Sequence, residues 1–258
     1  MTARNMFSPR ALLFGATALA AAMALPVPAG ALDATERTEV EKIIREYLLA
    51  NPEVMIEVQK ALEAKQEQMR IAAQQRTLTE KKDAIFSSDH QVEIGAKDAP
   101  ITIVEFFDYN CGFCQRALED MNRFVENDKD VRFILKEFPV LGEPSLDAHK
   151  VSLAFNRLMP EKAAEFHTRL LAAEGRKDGQ VATALAVELG ADEAALRAET
   201  EKPEILDAIR QVYELADGLG ITGTPSYVVG DSVVFGAVGY DQLNTKVANI
   251  RECGKAVC

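Results

Sequence analysis

The chain has 258 residues, of which 48% are apolar and 27% charged. That balance excludes a wholly disordered protein and supplies enough length to bury a core without disulfide staples, as one large domain or two small ones. The formal net charge of −11 argues against general nucleic-acid binding, which needs clustered Lys and Arg to meet phosphate.

Residues 1–31 read as a secretory signal peptide. Arg4 and Arg10 make a basic start, residues 11–25 are an apolar run, and Pro26-Val27-Pro28 leads to the small triplet Ala29-Gly30-Ala31, with cleavage expected before Leu32. The alternative, a membrane anchor, needs a longer run. All four cysteines follow this segment, so the compartment expected is oxidising and paired cysteines are plausible there.

Residues 32–88 are polar and helical in pattern. Thr38-x-x-Glu41 fits a capping box, with Val40, Ile43, Ile44, Tyr47 and Leu48 following at helical spacing. Asn51-Pro52 stops this helix and predicts a second, with Asn51 as N-cap and Pro52 at its first position. Met55, Val58, Leu62 and Met69 then fall on alternating three- and four-residue steps, a coiled-coil seam that Lys65 interrupts. A helix this polar has little to bury within its own chain, so the stripe predicts self-association; the alternative is packing back on the main domain.

Residues 89–258 alternate strand and helix, which predicts the α/β class. Ile101 to Phe107 reads as a buried strand, 112–126 as a helix with Ala117, Leu118, Met121 and Val125 on one face, and Val131 to Leu135 as a second, parallel strand. From Ser145 to Leu219 the pattern is almost wholly helical. Strand texture returns at 226–229, turns at Gly230-Asp231 and continues over 232–235 as a hairpin, before a last helix over 240–251.

The strongest chemical signal is Cys111-Gly112-Phe113-Cys114, directly after a buried strand and at the start of a helix. A helix N-terminus offers free N–H groups and partial positive charge, which stabilise a thiolate. Cys111 is therefore the expected attacking sulfur, and Cys114, one turn inside, the sulfur that resolves a mixed disulfide. The alternatives are a structural disulfide and half of a zinc site completed by Cys253 and Cys258. The βαβ context favours redox chemistry.

Glu105-Phe106-Phe107-Asp108-Tyr109-Asn110 followed by CGFC resembles the DsbA-type thioredoxin-fold proteins of the bacterial periplasm, over roughly residues 90–252. The resemblance implies a thioredoxin fold with a helical insertion at about 145–219. It also implies a cis-proline loop at Gly223-Thr224-Pro225-Ser226, where Thr224 and Pro225 hold an extended substrate chain beside Cys111. Glu105, inside an apolar strand, matches the acid that handles protons for the buried cysteine in related proteins, and Lys136 is its candidate partner; both also read as solvated strand ends.

Gly112-Phe113 is close to the Gly-Tyr of the isomerase DsbC, whereas strong oxidases usually carry Pro-His; a less stabilised thiolate makes a less oxidising disulfide. With an N-terminal association region over 32–88, the whole is most similar to the suppressor-of-copper-sensitivity C (ScsC) proteins. That resemblance implies a periplasmic homotrimer acting as disulfide isomerase or reductase on unfolded or misoxidised secreted proteins, with a DsbD-like or ScsB-like membrane partner as electron donor. The alternatives are a DsbA-like dithiol oxidase with a DsbB-like partner, and a copper-binding or chaperone protein that uses its four thiols without turnover.

Cys253 and Cys258 are expected to form a small structural disulfide once Gly254 ends the last helix, with metal binding or a redox relay as alternatives. His90, His149 and His167 sit in surface-like segments and read as structural, and Asp108 and Asn110 as shaping the loop only. No motif suggests a nucleotide, an organic cofactor or a resident metal.

Overall fold

The computed structural model describes residues 33–87 and 91–258; the signal-peptide reading of 1–31 and the reading of His90 lie outside them. The chain divides into two units between Lys60 and Ala61.

In the first unit, α1 (Ala34–Ala50) opens on a capping box one turn earlier than Thr38-x-x-Glu41 suggested. The Asp33 carboxylate accepts from the N–H groups of Thr35 and Glu36 at 2.7 and 2.9 Å, and Glu36 accepts from the Asp33 N–H at 3.0 Å. Thr38 instead donates its hydroxyl to the Ala34 carbonyl. Asn51 also differs from expectation. It is the C-cap of α1, and both its backbone N–H and its side-chain amide donate to the Tyr47 carbonyl at 2.9 Å. The amide thus adds a second donor to a carbonyl that the backbone already satisfies, closing the helix end. No residue of α1 is buried.

The long helix α2 (Glu53–Glu80) follows. Met55, Val58, Leu62 and Met69 are all more than half exposed, as are Ile43, Ile44 and Tyr47 of α1. The last turns of α2 belong to the second unit's core. Gln74 donates to the Leu219 carbonyl at 2.8 Å, Thr77 to the Gly218 carbonyl at 2.9 Å, and Leu78 is buried. A Cβ on Gly218 would lie 2.7 Å from the Thr77 hydroxyl, so this close approach requires glycine. Ile85 of α3 (Lys82–Phe86) has no exposed surface. The second unit therefore begins well before residue 89. Leu78 and Ile85 are isolated apolar positions in a polar stretch, and only the sheet face they meet makes them core.

That sheet has five strands, β1 (Val92–Gly95), β2 (Ile101–Phe107), β3 (Val131–Glu137), β4 (Ser226–Val229) and β5 (Ser232–Phe235), in the order β1-β3-β2-β4-β5. β2 and β3 are parallel, joined by α4 (Gly112–Asn127), and the other pairs are antiparallel. The sequence pattern does not predict β1, since four residues carrying an exposed Glu93 make too short an alternation to register.

Both faces of the central strand are covered, which is why β2 reads as a continuous apolar run. Ile103 and Phe107 join one core cluster with α4 and the helical insertion; Val104 and Phe106 join the other, with Leu78, Ile85, Leu215 and Leu219. The insertion comprises α5 (Glu143–Leu158), a 3-10 turn at Pro160–Lys162, α6 (Ala163–Ala172), α7 (Gly179–Glu188), α8 (Glu193–Thr200) and α9 (Pro203–Leu219). The final helix, α10 (Tyr240–Cys253), ends at Gly254 in the left-handed conformation.

Candidate active site

β2 ends at Phe107, and the turn Asp108-Tyr109-Asn110 delivers Cys111 to the N-cap position of α4. Cys111 and Cys114 are free thiols, 7% and 0% exposed. Phe113 between them points outward at 58% exposure, with the Arg116 guanidinium 4.2 Å from its ring centre.

The two sulfurs are driven apart in acidity. The Cys111 pKa is pulled down from 9.0 to about 5, first by a hydrogen bond from Cys114, then by the Thr224 side chain and the N–H groups of Cys114 and Phe113, against the opposing effect of burial. Burial pushes the Cys114 thiol far up, helped by its bond to Cys111 and by the charge of Glu105. One sulfur therefore ionises readily at neutral pH, where it gives up the proton it shares with its surroundings, and its neighbour stays a protected thiol.

The Thr224–Pro225 peptide bond is cis, directly before β4. Cys111 Sγ donates to the Thr224 carbonyl oxygen at 3.2 Å, so this loop and the CGFC turn meet at the sulfur.

Glu105 is 4% exposed and faces the same side of the sheet as Cys114's core cluster; burial raises its pKa to about 8, with the charges of Cys111 and Asp120 adding to the effect. Lys136 is not its partner. In the parallel register Glu105 stands opposite Leu135, and Lys136 opposite Phe106, so the two side chains leave on opposite faces. The Lys136 ammonium donates to the Ala84 carbonyl at 2.8 Å and to Gln91 Oε1 at 2.7 Å, and burial lowers its pKa to about 7.

Asp108 and Asn110 shape the loop by tying it to segments distant in sequence. The Asp108 carboxylate, fully buried, accepts four hydrogen bonds: from the Asn110 N–H (2.8 Å) and Ser145 hydroxyl (2.7 Å) on Oδ1, and from the N–H groups of Val140 (2.8 Å) and Leu141 (3.0 Å) on Oδ2. Asn110 exchanges both bonds with the Lys177 backbone, at 2.7 and 2.8 Å, and donates to Ser145. His149 and His167 are 0% and 1% exposed, not surface residues. They pack with the rings of Phe107 and Tyr109. Burial drops the His167 pKa to about 3, and its Nδ1 has no hydrogen-bond partner among the described residues. The spacing Ser145, His149, Ser152 inside an apolar helix was the available signal for this buried cluster.

Cys253 and Cys258 are bonded to each other with Cα atoms 6.2 Å apart. This removes both from the alternative zinc site and from the four-thiol copper site; among the described residues no cluster of three His, Cys, Asp or Glu could hold a metal. The tail they close is seated by Ala256, whose N–H donates to Asp231 at 2.9 Å and whose carbonyl accepts from Asn249 at 3.0 Å.

Residues 102–248 match the family model of the DSBA-like thioredoxin domain, and residues 36–68 that of the copper resistance protein ScsC N-terminal domain. A thioredoxin-like oxidoreductase from Silicibacter pomeroyi is similar at 36% identity and TM-score 0.63, over 67% of this chain and 98% of that one. A linker-deletion mutant of Proteus mirabilis ScsC is 30% identical with TM-score 0.62, over 87% of this chain and 99% of that one. Disulfide bond formation protein D of Bacillus subtilis is 25% identical over 61% of this chain and 75% of its own length.

Proposed function

This chain belongs to the DsbA-like thioredoxin family of thiol-disulfide oxidoreductases, and on that premise we propose that it is a periplasmic protein disulfide isomerase or reductase. The observation that carries the reading is the split between Cys111, a readily ionised thiol beside the cis Thr224–Pro225 loop, and Cys114, a buried protonated one.

The Cys111 thiolate attacks one sulfur of a substrate disulfide. That S–S bond breaks, a Cys111–substrate disulfide forms, and the other substrate sulfur leaves as a thiolate. In isomerisation this thiolate attacks a second substrate disulfide, and a substrate sulfur finally displaces Cys111 with no net electron transfer. In reduction Cys114 attacks Cys111 Sγ instead, two electrons pass to the substrate, and the enzyme is left with a Cys111–Cys114 disulfide. Glu105 is the acceptor for the Cys114 proton. While Cys111 is ionised its charge helps hold Glu105 protonated. In the mixed disulfide that charge is gone, so Glu105 releases its proton more readily and can then take the one from Cys114.

A Cys111 pKa of about 5 lies between thioredoxin, about 7, and DsbA, about 3.5, which supports a disulfide less oxidising than that of DsbA. The match of residues 36–68 to the ScsC N-terminal domain and the exposed apolar side chains of α1 and α2 support a homo-oligomer, a trimer by likeness, since such a stripe is stable when covered by other copies. The domain plan follows: a signal peptide over 1–31, an associating region up to the outer half of α2, and a catalytic domain. Export to the periplasm and a DsbD-like or ScsB-like membrane donor complete the proposal. Likeness to disulfide bond formation protein D supports a second reading, a dithiol oxidase served by a DsbB-like partner.

The test is a Cys114→Ser variant in the periplasm. Exchange chemistry predicts trapped Cys111–client disulfides that reductant dissolves; the absence of any trapped species contradicts the reading and favours a binding protein.

A further inference from the structure

α5 carries three buried polar residues, Ser145, His149 and Ser152, at positions i, i+4 and i+7. This spacing puts them on one helix face, and all three are at most 1% exposed. A buried polar stripe is costly unless each group is paired. Here each is paired with the turn that precedes Cys111, or with a residue that is.

Ser145 donates to Asp108 at 2.7 Å and accepts from Asn110 at 3.0 Å. His149 Nε2 accepts the Tyr109 N–H at 3.2 Å, so the ring's proton lies on Nδ1 and is donated to Glu137 Oε2. Ser152 gives its hydroxyl proton to Glu137 Oε1 at 2.7 Å, and its oxygen is then the acceptor for the Tyr109 hydroxyl, also at 2.7 Å. Both arms of the circuit start at Tyr109, one from its backbone N–H and one from its hydroxyl, and donation along each converges on the Glu137 carboxylate. Charged and titratable groups facing His149 are Glu137, Asp108 (Oδ1 at 4.0 Å from Nε2), Tyr109 and the His167 imidazole, with the Phe107 ring against it.

We propose that this stripe of α5 is the positioning element for the nucleophile: Ser145, His149 and Ser152 fix all three residues of the Asp108-Tyr109-Asn110 turn and thereby set Cys111 at the head of α4. The helical insertion is then part of the catalytic apparatus as well as a cover for it. The turn is short and irregular, and no ladder holds it. If it slackens, the first N–H groups of α4 lose alignment with the sulfur, and hydrogen bonds weaken steeply with angle. The inference rests on Cys111 being the attacking sulfur, not on the direction of exchange.

The experiment is the pH titration of Cys111 in the reduced full chain, read by thiolate absorbance and by the rate of iodoacetamide alkylation, with cooperative thermal unfolding recorded for each variant. His149→Ala is expected to move the midpoint up by about one unit, a roughly tenfold slower alkylation below it. His149→Gln, which keeps an acceptor for the Tyr109 N–H and a donor for Glu137, restores the wild-type profile. Ser152→Ala and Tyr109→Phe open the circuit more gently and shift the midpoint in the same direction. A folded His149→Ala with an unchanged profile overturns the proposal. Should that variant not fold, unchanged profiles in both Ser152→Ala and Tyr109→Phe overturn it. The titration uses no substrate, so a failure here leaves the exchange reading standing, and a failure to trap clients leaves this one standing.

Discussion

Cys111 Sγ lies 3.2 Å from the carbonyl oxygen of Thr224, a residue 113 positions away in sequence. A carbonyl at this distance accepts from the thiol and cannot stabilise the thiolate. The drop in the Cys111 pKa must therefore come from donors on the other sides: the Cys114 thiol, the Thr224 side chain and the first N–H groups of α4. Being main chain, the carbonyl also offers any extended peptide the same hydrogen bond whatever its sequence, which suits an enzyme with many clients.

The contribution of Cys111 to the stability of the reduced protein should grow as pH rises. Cys111 has a folded pKa of about 5 against an ordinary 9.0, so between these values the unfolded chain binds more protons at this site than the folded one. The stabilisation is complete above pH 9 and is lost as pH falls through 5. Urea midpoints of the reduced wild type should rise from pH 5 to pH 9 relative to those of Cys111→Ala. Parallel pH dependences in the two proteins would contradict the assignment.

Glu105 acts with the opposite sign. Its pKa is raised from 4.5 to about 8 by burial and by the charges of Cys111 and Asp120, so its effect favours the fold below pH 4.5 and is lost as pH climbs through 8. Glu105→Gln removes that loss, and its stability advantage over wild type should grow across this window. The same variant should resolve a Cys111 mixed disulfide more slowly, by on the order of 10²-fold, the usual worth of a positioned acid–base group. Stopped-flow resolution rates that match wild type would remove Glu105 from the proton path.

The catalytic turn was legible in the sequence because its signals are local: a buried strand, then Cys111-Gly112-Phe113-Cys114, then a helix with one apolar face. The hairpin at 226–229 and 232–235 was legible for the same reason. What depended on pairing was not. Glu105 and Lys136 look like neighbours until the register places them on opposite faces. The work of Asp108, Asn110 and His149 lies in partners 32 to 67 residues away, and no periodicity encodes those. Asp33 displaced Thr38 as helix cap because both make sound capping boxes, and local signals do not rank them.

Asp108→Asn should be among the most damaging single changes outside the cysteines. Both carboxylate oxygens accept two hydrogen bonds each, and an amide must aim its own N–H at one of those donor pairs. Leaving such buried donors unmet costs about 2–4 kcal/mol in total. Chemical denaturation should show this loss, and a stability equal to wild type would refute the account of the turn.

Gly218→Ala tests how firmly the end of α2 belongs to the catalytic domain. The added methyl would meet the Thr77 hydroxyl at 2.7 Å, so either α9 and α2 separate or Thr77 gives up its bond to the Gly218 carbonyl. Overpacking of this kind costs about 1–3 kcal/mol. The double variant with Thr77→Ser, which removes a methyl group that a Gly218 Cβ would also approach at 3.0 Å, should recover part of it by thermal denaturation.

If an exposed apolar stripe turns a DsbA-like site into an isomerase, recovery of activity from scrambled ribonuclease should depend on it. The comparison is between the full chain after residue 31 and the same chain with Ile43, Ile44, Val58 and Leu62, all more than half exposed, changed to Glu. The account predicts that the first unscrambles ribonuclease as an oligomer, and that the second is monomeric and does not, while both still exchange a simple disulfide through Cys111. If neither unscrambles and both instead oxidise reduced ribonuclease, the protein is an oxidase and the account is contradicted.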